Sequence, residues 1–256
     1  MAVDQAQFIF GPGSGWASLI QYVDGTAPTI QQPRKFDVQQ SMTIAFDSTV
    51  KRLMGSQIYP RAIGISDGKV TVKVKLGRFD AGIANLRMGQ TGQPTSGTTS
   101  MADDEAGTIP ATPFTVTVTN SATWTRDWGV RFAATGLPMT RVASGPATGQ
   151  YSVTSGVYTF AAADTTLAVL ISYEYTISAS GSTVTMQNQL QGNFGLVQLR
   201  YQGVYAGKKL GVYLPNCVGN TFNVDTKEGD FVIGEMDFEA FSDSSNNVAF
   251  IYFANP

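Results

Sequence analysis

Alternation of apolar and polar side chains is the feature that most constrains this chain. In Lys69-Val70-Thr71-Val72-Lys73-Val74-Lys75-Leu76 it runs without a break, and in Phe36–Phe46 five of the six even positions are apolar. Period two marks a strand with one buried face and one wet or interface face. The two segments are expected to pair and to bury Phe36, Val38, Met42, Ile44 and Phe46 with Val70, Val72, Val74 and Leu76. Each such side chain contributes roughly 1.5–3 kcal/mol on burial. This pair is the expected nucleus of the sheet.

The segment joining them is unusual. Hairpin loops are normally short and polar, yet residues 47–68 hold Val50, Leu53, Met54, Ile58, Tyr59, Pro60, Ile63 and Ile65. Either the loop folds back onto its own core or it is a docking arm, since an exposed apolar cluster marks an interface. Lys51, Arg52, Leu53, Met54, Ile58, Tyr59 and Arg61 are the inter-subunit candidates.

At 256 residues the chain suits one large β domain or two small ones. Apolar residues make up 43%, charged residues only 14%, and the net charge is −2, which argues against disorder. Near-neutrality gives no global case for nucleic-acid or membrane binding. The N-terminal residues Met-Ala-Val-Asp-Gln-Ala-Gln lack the basic and apolar regions of a signal peptide. Apolar runs such as Leu167–Ile171 fall far short of a membrane span of ~20 residues. A soluble protein made in a reducing cytoplasm is the expectation.

Further along, Phe8-Ile9-Phe10 and the turn-rich Gly11–Gly15 predict an N-terminal strand or arm, anchored by Trp16 and Tyr22. Phe79, Ile83 and Leu86 recur at helical spacing, so a helix over about 79–88 is expected, capped by Asp80 and covering one end of the sheet. Residues 89–113, rich in Gly, Thr, Ser and Gln, read as a flexible loop carrying the acidic triplet Asp103-Asp104-Glu105. Residues 114–177 read as a meander of short strands, an elaboration on a core made by the two flanks. Further strands are expected around Val184, at Leu196–Val204 and at Leu210–Tyr213, with a tight turn at Gly207-Lys208. Phe231–Phe241 and Val248–Phe253 predict a C-terminal hairpin. The whole, 1–256, reads as a single mainly β domain, an antiparallel sandwich or barrel with one flanking helix.

Most chemistry is absent from the pattern. The sequence has no histidine, which removes Ser-His-Asp and Cys-His machinery and His-containing zinc sites. Cys217, the only cysteine, has no neighbouring base and reads as a packed side chain. Gly11–Gly15 and Gly207-Lys208-Lys209 lack the residues of a phosphate cradle. No catalytic, metal or cofactor site is predicted, and the protein is expected not to be an enzyme. Charge is nonetheless segregated. Nine basic residues lie between Pro33 and Phe79 against Asp37, Asp47 and Asp67, while Asp225, Glu228, Asp230, Glu235, Asp237, Glu239 and Asp243 face Lys227 alone. Opposite-sign surfaces of this kind steer subunits together and fix their register.

With the strand Val38–Phe46, the apolar-basic loop and Gly68–Gly77 leading into the helix, the sequence resembles the major tail tube proteins of long-tailed bacteriophages. Leu210–Asn216, Gly229–Ile233 and Met236–Phe241 resemble the closing elements of such a subunit, and Gly149–Val153 with Gly156–Phe160 resembles segments of virion proteins of this kind. The resemblance implies the tail-tube type of β-sandwich or barrel and hexameric rings stacked head to tail, without chemistry. It implies a place in the phage tail after assembly in the host bacterial cytoplasm. The implied partners are further copies, the tape measure, tail terminator and distal tail proteins, and genomic DNA as transient cargo, with no membrane. Two other classes stay open: the inner tube of a contractile injection machine, and a carbohydrate-binding or adhesin-like module using Trp124 and Trp128 around Arg126.

In a tube, the wall must pass DNA without holding it. Phe231 and Ile233 are odd-numbered while Met236, Phe238 and Ala240 are even, which predicts a bulge near Gly234. Beyond it Glu235, Asp237 and Glu239 share the face opposite the core and are the lumen candidates. The rival use of the same residues is cross-strand pairing with Lys73 and Lys75.

Overall fold

In chain order the elements are β1 (Ser14–Gln21), β2 (Arg34–Lys35), β3 (Gln39–Leu53), β4 (Ala62–Leu76), α1 (Ala81–Met88), β5 (Thr95–Thr108), β6 (Thr115–Thr117), β7 (Trp124–Phe132), β8 (Thr140–Arg141), β9 (Gln150–Thr154), β10 (Val157–Phe160), β11 (Ala168–Thr183), β12 (Leu196–Tyr205), β13 (Lys208–Asp225), β14 (Ile233–Phe241) and β15 (Phe250–Ala254). The computed structural model describes Gly11 and residues 13–254. Phe8–Phe10, expected to open an N-terminal strand, lie outside the described residues. The chain is mainly β and divides into two compact units, one formed up to Pro94 and from Val184 onward, the other by Thr95–Thr183.

The first unit holds an eight-stranded antiparallel sheet in the order β2-β1-β12-β13-β14-β4-β3, with β15 also on β13. Its core is the even face of β4 (Val70, Val72, Val74, Leu76) and of β14 (Met236, Phe238, Ala240), joined by Val197, Leu199, Leu214 and Cys217. Ile83 and Leu86 of α1 enter the same core. Asp80 caps that helix, its carboxylate accepting from the Ile83 N–H at 2.7 Å, and Gly89 ends it in the left-handed region at φ 62°. Ala206 and Gly207 both take positive φ, 49° and 82°, as the two-residue turn from β12 to β13 requires.

Three expectations are corrected here. Val38 is exposed, with φ 48°, and Gln39 is buried in its place. A register shift between Gln39 and Ser41 then restores the phase that points Met42 and Ile44 inward. Phe46, farther along, is half exposed. There is no bulge at Gly234: pairing with β4 is continuous from Gly234 to Ala240, and the odd phase fails because Phe231 is 90% exposed. A Cβ at Gly234 would stand 3.0 Å from the Phe79 ring, so a larger residue there would require that ring to shift. Finally, β14 and β15 do not form a hairpin. Both pair with β13, β15 along Lys209–Tyr213 and β14 along Asn216–Asp225, so the polar link between them steps along one long strand.

The second unit is two sheets, β5-β11-β7 and β6-β10-β9-β8, antiparallel except for β8 with β9. They bury a core of their own, with Val130, Val169, Ile171 and Tyr173 from one and Tyr151, Tyr158 and Phe160 from the other. The supposed flexible loop 89–113 is instead largely β5, paired with β11 from Thr108↔Ala168 to Thr95↔Thr183. Its small polar residues gave no burial signal of their own. Among the described residues no helix is long and apolar enough to cross a membrane.

Candidate assembly interface

The loop between the two alternating segments is not a loop. β3 and β4 continue as a two-stranded ribbon well past the last pairing of β4 with β14, at Val70↔Ala240. Eight more residues of β4, at ~3.3 Å each, carry it roughly 26 Å past that pairing. The ribbon does not fold back on the core. Ile58 and Tyr59 at its tip are 89% and 82% exposed, and Leu53, Met54, Ile63 and Ile65 are exposed as well.

Register sorts its side chains. Val50 pairs with Ile65 and Arg52 with Ile63, so these share one face, while Lys51 pairs with Gly64 and Leu53 with Ala62 on the other. One face is therefore an apolar strip with a guanidinium at its end. Lys51, Arg52 and Arg61 are the only charged residues between Ser48 and Ser66, so the arm is uniformly cationic. An isolated two-stranded hairpin is marginal in water, and an uncovered apolar ribbon marks a contact surface. All seven sequence-predicted interface residues lie on this arm.

The lumen candidates lie on β14, between β13 and β4. Glu235 stands opposite Lys75 and closes an ion pair with it, which raises the Lys75 pKa. Asp237 stands opposite Lys73 in register. Glu239 reaches Lys69 at 3.1 Å. The face is thus a ladder of alternating sign, in which Glu235 takes the expected cross-strand pairing with Lys75 while Glu239 pairs with Lys69 rather than with Lys73 or Lys75.

At the end of the sheet opposite the arm, β13 turns into β14 through residues 226–232. Asp225, Glu228 and Asp230 with Lys227 leave this turn acidic, and Phe231 stands out from it.

Sequence reasoning missed a second surface. Lys35, Trp16, Arg200, Tyr213 and Phe250 lie side by side across five strands. Tyr213 stacks on Phe250 and Phe250 on Tyr252, while the Arg200 guanidinium sits 5.2 Å from the Tyr252 ring centre. Trp16 and Arg200 help line a groove of 590 Å³. Only pairing brings these residues together, since in sequence they are isolated aromatics and cations.

In the second unit Trp124 turns toward the core, its Nε1 donating to the Tyr158 hydroxyl at 3.4 Å, while Trp128 is exposed beside Arg126. The two rings do not form one platform. Each residue of the acidic triplet has a side-chain partner. Ser172 donates to Asp103 at 3.0 Å, Arg131 bridges Asp104, and Glu105 accepts from Tyr173 Oη, the Thr119 N–H and the Thr119 hydroxyl at 2.5, 2.8 and 2.9 Å. Burial pushes the Glu105 pKa up, but these three donors outweigh it and leave it below the usual value of 4.5. A depressed carboxylate contributes stability that is present above its unfolded pKa and lost as pH falls through the folded one. The second unit should therefore weaken as pH drops below about 4.5, and Glu105→Gln should flatten that part of the profile. An unchanged acid-denaturation curve for the variant would remove Glu105 from the account.

Cys217 is fully buried, its thiol pushed up to about 12 by burial, as a packed rather than reactive side chain. Among the described residues no three His, Cys, Asp or Glu side chains gather where they could hold a metal ion. No protein-family model matches the chain, and no curated protein matches it.

Proposed function

We propose that the chain is a structural, non-catalytic subunit that polymerises through its hairpin arm, as a tail tube protein of a long-tailed bacteriophage. In this reading hexameric rings stack around a channel that conducts the genome, with the tape measure, terminator and distal tail proteins as neighbours. The observation that carries it is the arm: a cationic ribbon with an apolar face and an exposed Ile58-Tyr59 tip. Such a surface is a liability in a monomer and an asset in a polymer.

The mixed ladder of β4 and β14 fits the channel wall of that reading. Duplex DNA gains affinity from each uncompensated lysine or arginine that releases counterions. Here Lys69 and Lys75 are held by Glu239 and Glu235, so a wall of this kind offers the duplex little purchase.

Electron microscopy of the purified chain should show long smooth tubes. Changing Leu53 and Ile58 together to Asp should leave a folded monomer that no longer polymerises. Both residues are exposed, so circular dichroism should be unaltered. Tubes from the double variant, or its unfolding, would sink the assembly role of the arm.

A further inference from the structure

We infer that the arm of one copy seats on the β13–β14 turn of a second copy, so that copies join head to tail through one repeated contact. The inference rests on the polymerising role above and names the surface that receives the arm. Its first support is position. β3 and β4 pair from Gln39↔Leu76 to Leu53↔Ala62, so the arm leaves the sheet at the end away from Leu76. β14 pairs with β4 from Gly234↔Leu76, and β13 with β14 from Asp225↔Ile233, so the turn leaves at the Leu76 end. The two projections therefore point away from each other along one set of strands, separated by the length of β4, roughly 50 Å.

The second support is complementarity. The arm carries Lys51, Arg52 and Arg61 without a carboxylate between Ser48 and Ser66, and the turn carries Asp225, Glu228 and Asp230 against Lys227. Each also presents apolar surface, Ile58 and Tyr59 on the arm and Phe231 on the turn, all more than four-fifths exposed. An arm-to-arm contact would set three cations against three, and a turn-to-turn contact would set acid against acid. Like-charge juxtaposition disfavours both. The remaining contact uses two different patches, and a repeated contact between different patches on opposite ends gives an open polar stack rather than a closed pair.

The test is a charge exchange on the full chain. In one variant Lys51, Arg52 and Arg61 become Glu; in the other Glu228 and Asp230 become Lys. Each alone should raise the concentration needed for assembly by at least about tenfold. Mixed in equal amounts, they should assemble again as alternating copies, since each arm then meets a turn of opposite sign. In addition, Ile58→Cys with Phe231→Cys should give a ladder of cross-linked oligomers with a short bismaleimide, Cys217 being buried. Wild-type chain that stays monomeric at every concentration overturns both this inference and the function proposed above. Tubes that form while either reversal assembles normally, while the mixture stays inert, or while Ile58→Cys alone cross-links arm to arm, overturn the arm-to-turn contact and leave that function standing.

Discussion

Replacing Asp127 by Ala should destabilise the second unit by at least about 3 kcal/mol, since hydrogen bonds to a charged acceptor are worth about 1.5–3 kcal/mol each. The Asp127 side chain is only 3% exposed and accepts from Tyr151 Oη at 2.8 Å, Tyr158 Oη at 2.9 Å and the Gly129 N–H at 3.2 Å. Arg141 lies 3.5 Å from the same carboxylate. Burial, with Asp127 adding to it, pushes both phenol pKa values well above their usual 10, so both hydroxyls remain donors into alkaline solution. Truncation at 127 would leave two core hydroxyls without their acceptor. Asp127→Asn keeps one acceptor oxygen and should lose less. The denaturant midpoint, followed by the fluorescence of nearby Trp124, measures both. An Ala variant within about 0.5 kcal/mol of the parent, the range of ordinary surface changes, would show that the cluster is ornamental.

The second large effect belongs to the first unit. Phe238→Ala should cost about 3–5 kcal/mol, the usual loss for a buried phenylalanine whose cavity cannot collapse. Phe238 is 1% exposed and stands opposite Val72 on β4 and Gly219 on β13, so strands on both sides hold the cavity open. Ile58→Ala is the matched control, because the arm tip has nothing packed on it and the change should fall within about 0.5 kcal/mol. Urea unfolding of the two variants compares them directly. Similar losses for both would mean that the arm is folded into the core of the monomer.

Legibility followed the source of each constraint. β4 from Lys69 to Leu76 could be read because one face meets a core along its whole length, and α1 could be read because Asp80, Ile83 and Leu86 each state their role locally. The turn between β12 and β13 was visible through Gly207, though it was expected at Gly207-Lys208 and lies one residue earlier, at Ala206-Gly207. The outer halves of β3 and β4 were not visible as strands, because solvent lies on both faces and nothing enforces alternation between Thr49 and Leu53. β5 was hidden for a related reason: its partner β11 dictates its extended form, while its own Thr, Ser and Gly side chains declare nothing. The exposed apolar residues of the arm could be singled out nevertheless, since apolar side chains in a supposed loop are conspicuous whatever the backbone does. Their sorting into two faces needed the register.

The pairing of Thr95 with Thr183 has a consequence for how such a chain is composed. Entry and exit of the whole 95–183 segment stand side by side, about one strand spacing of 4.7–4.9 Å apart. For the remaining chain, that segment fills a gap that a short hairpin loop can also close. It is therefore a cassette: separable from its host by one excision, exchangeable for another of the same footprint, and a natural position at which to splice a foreign domain.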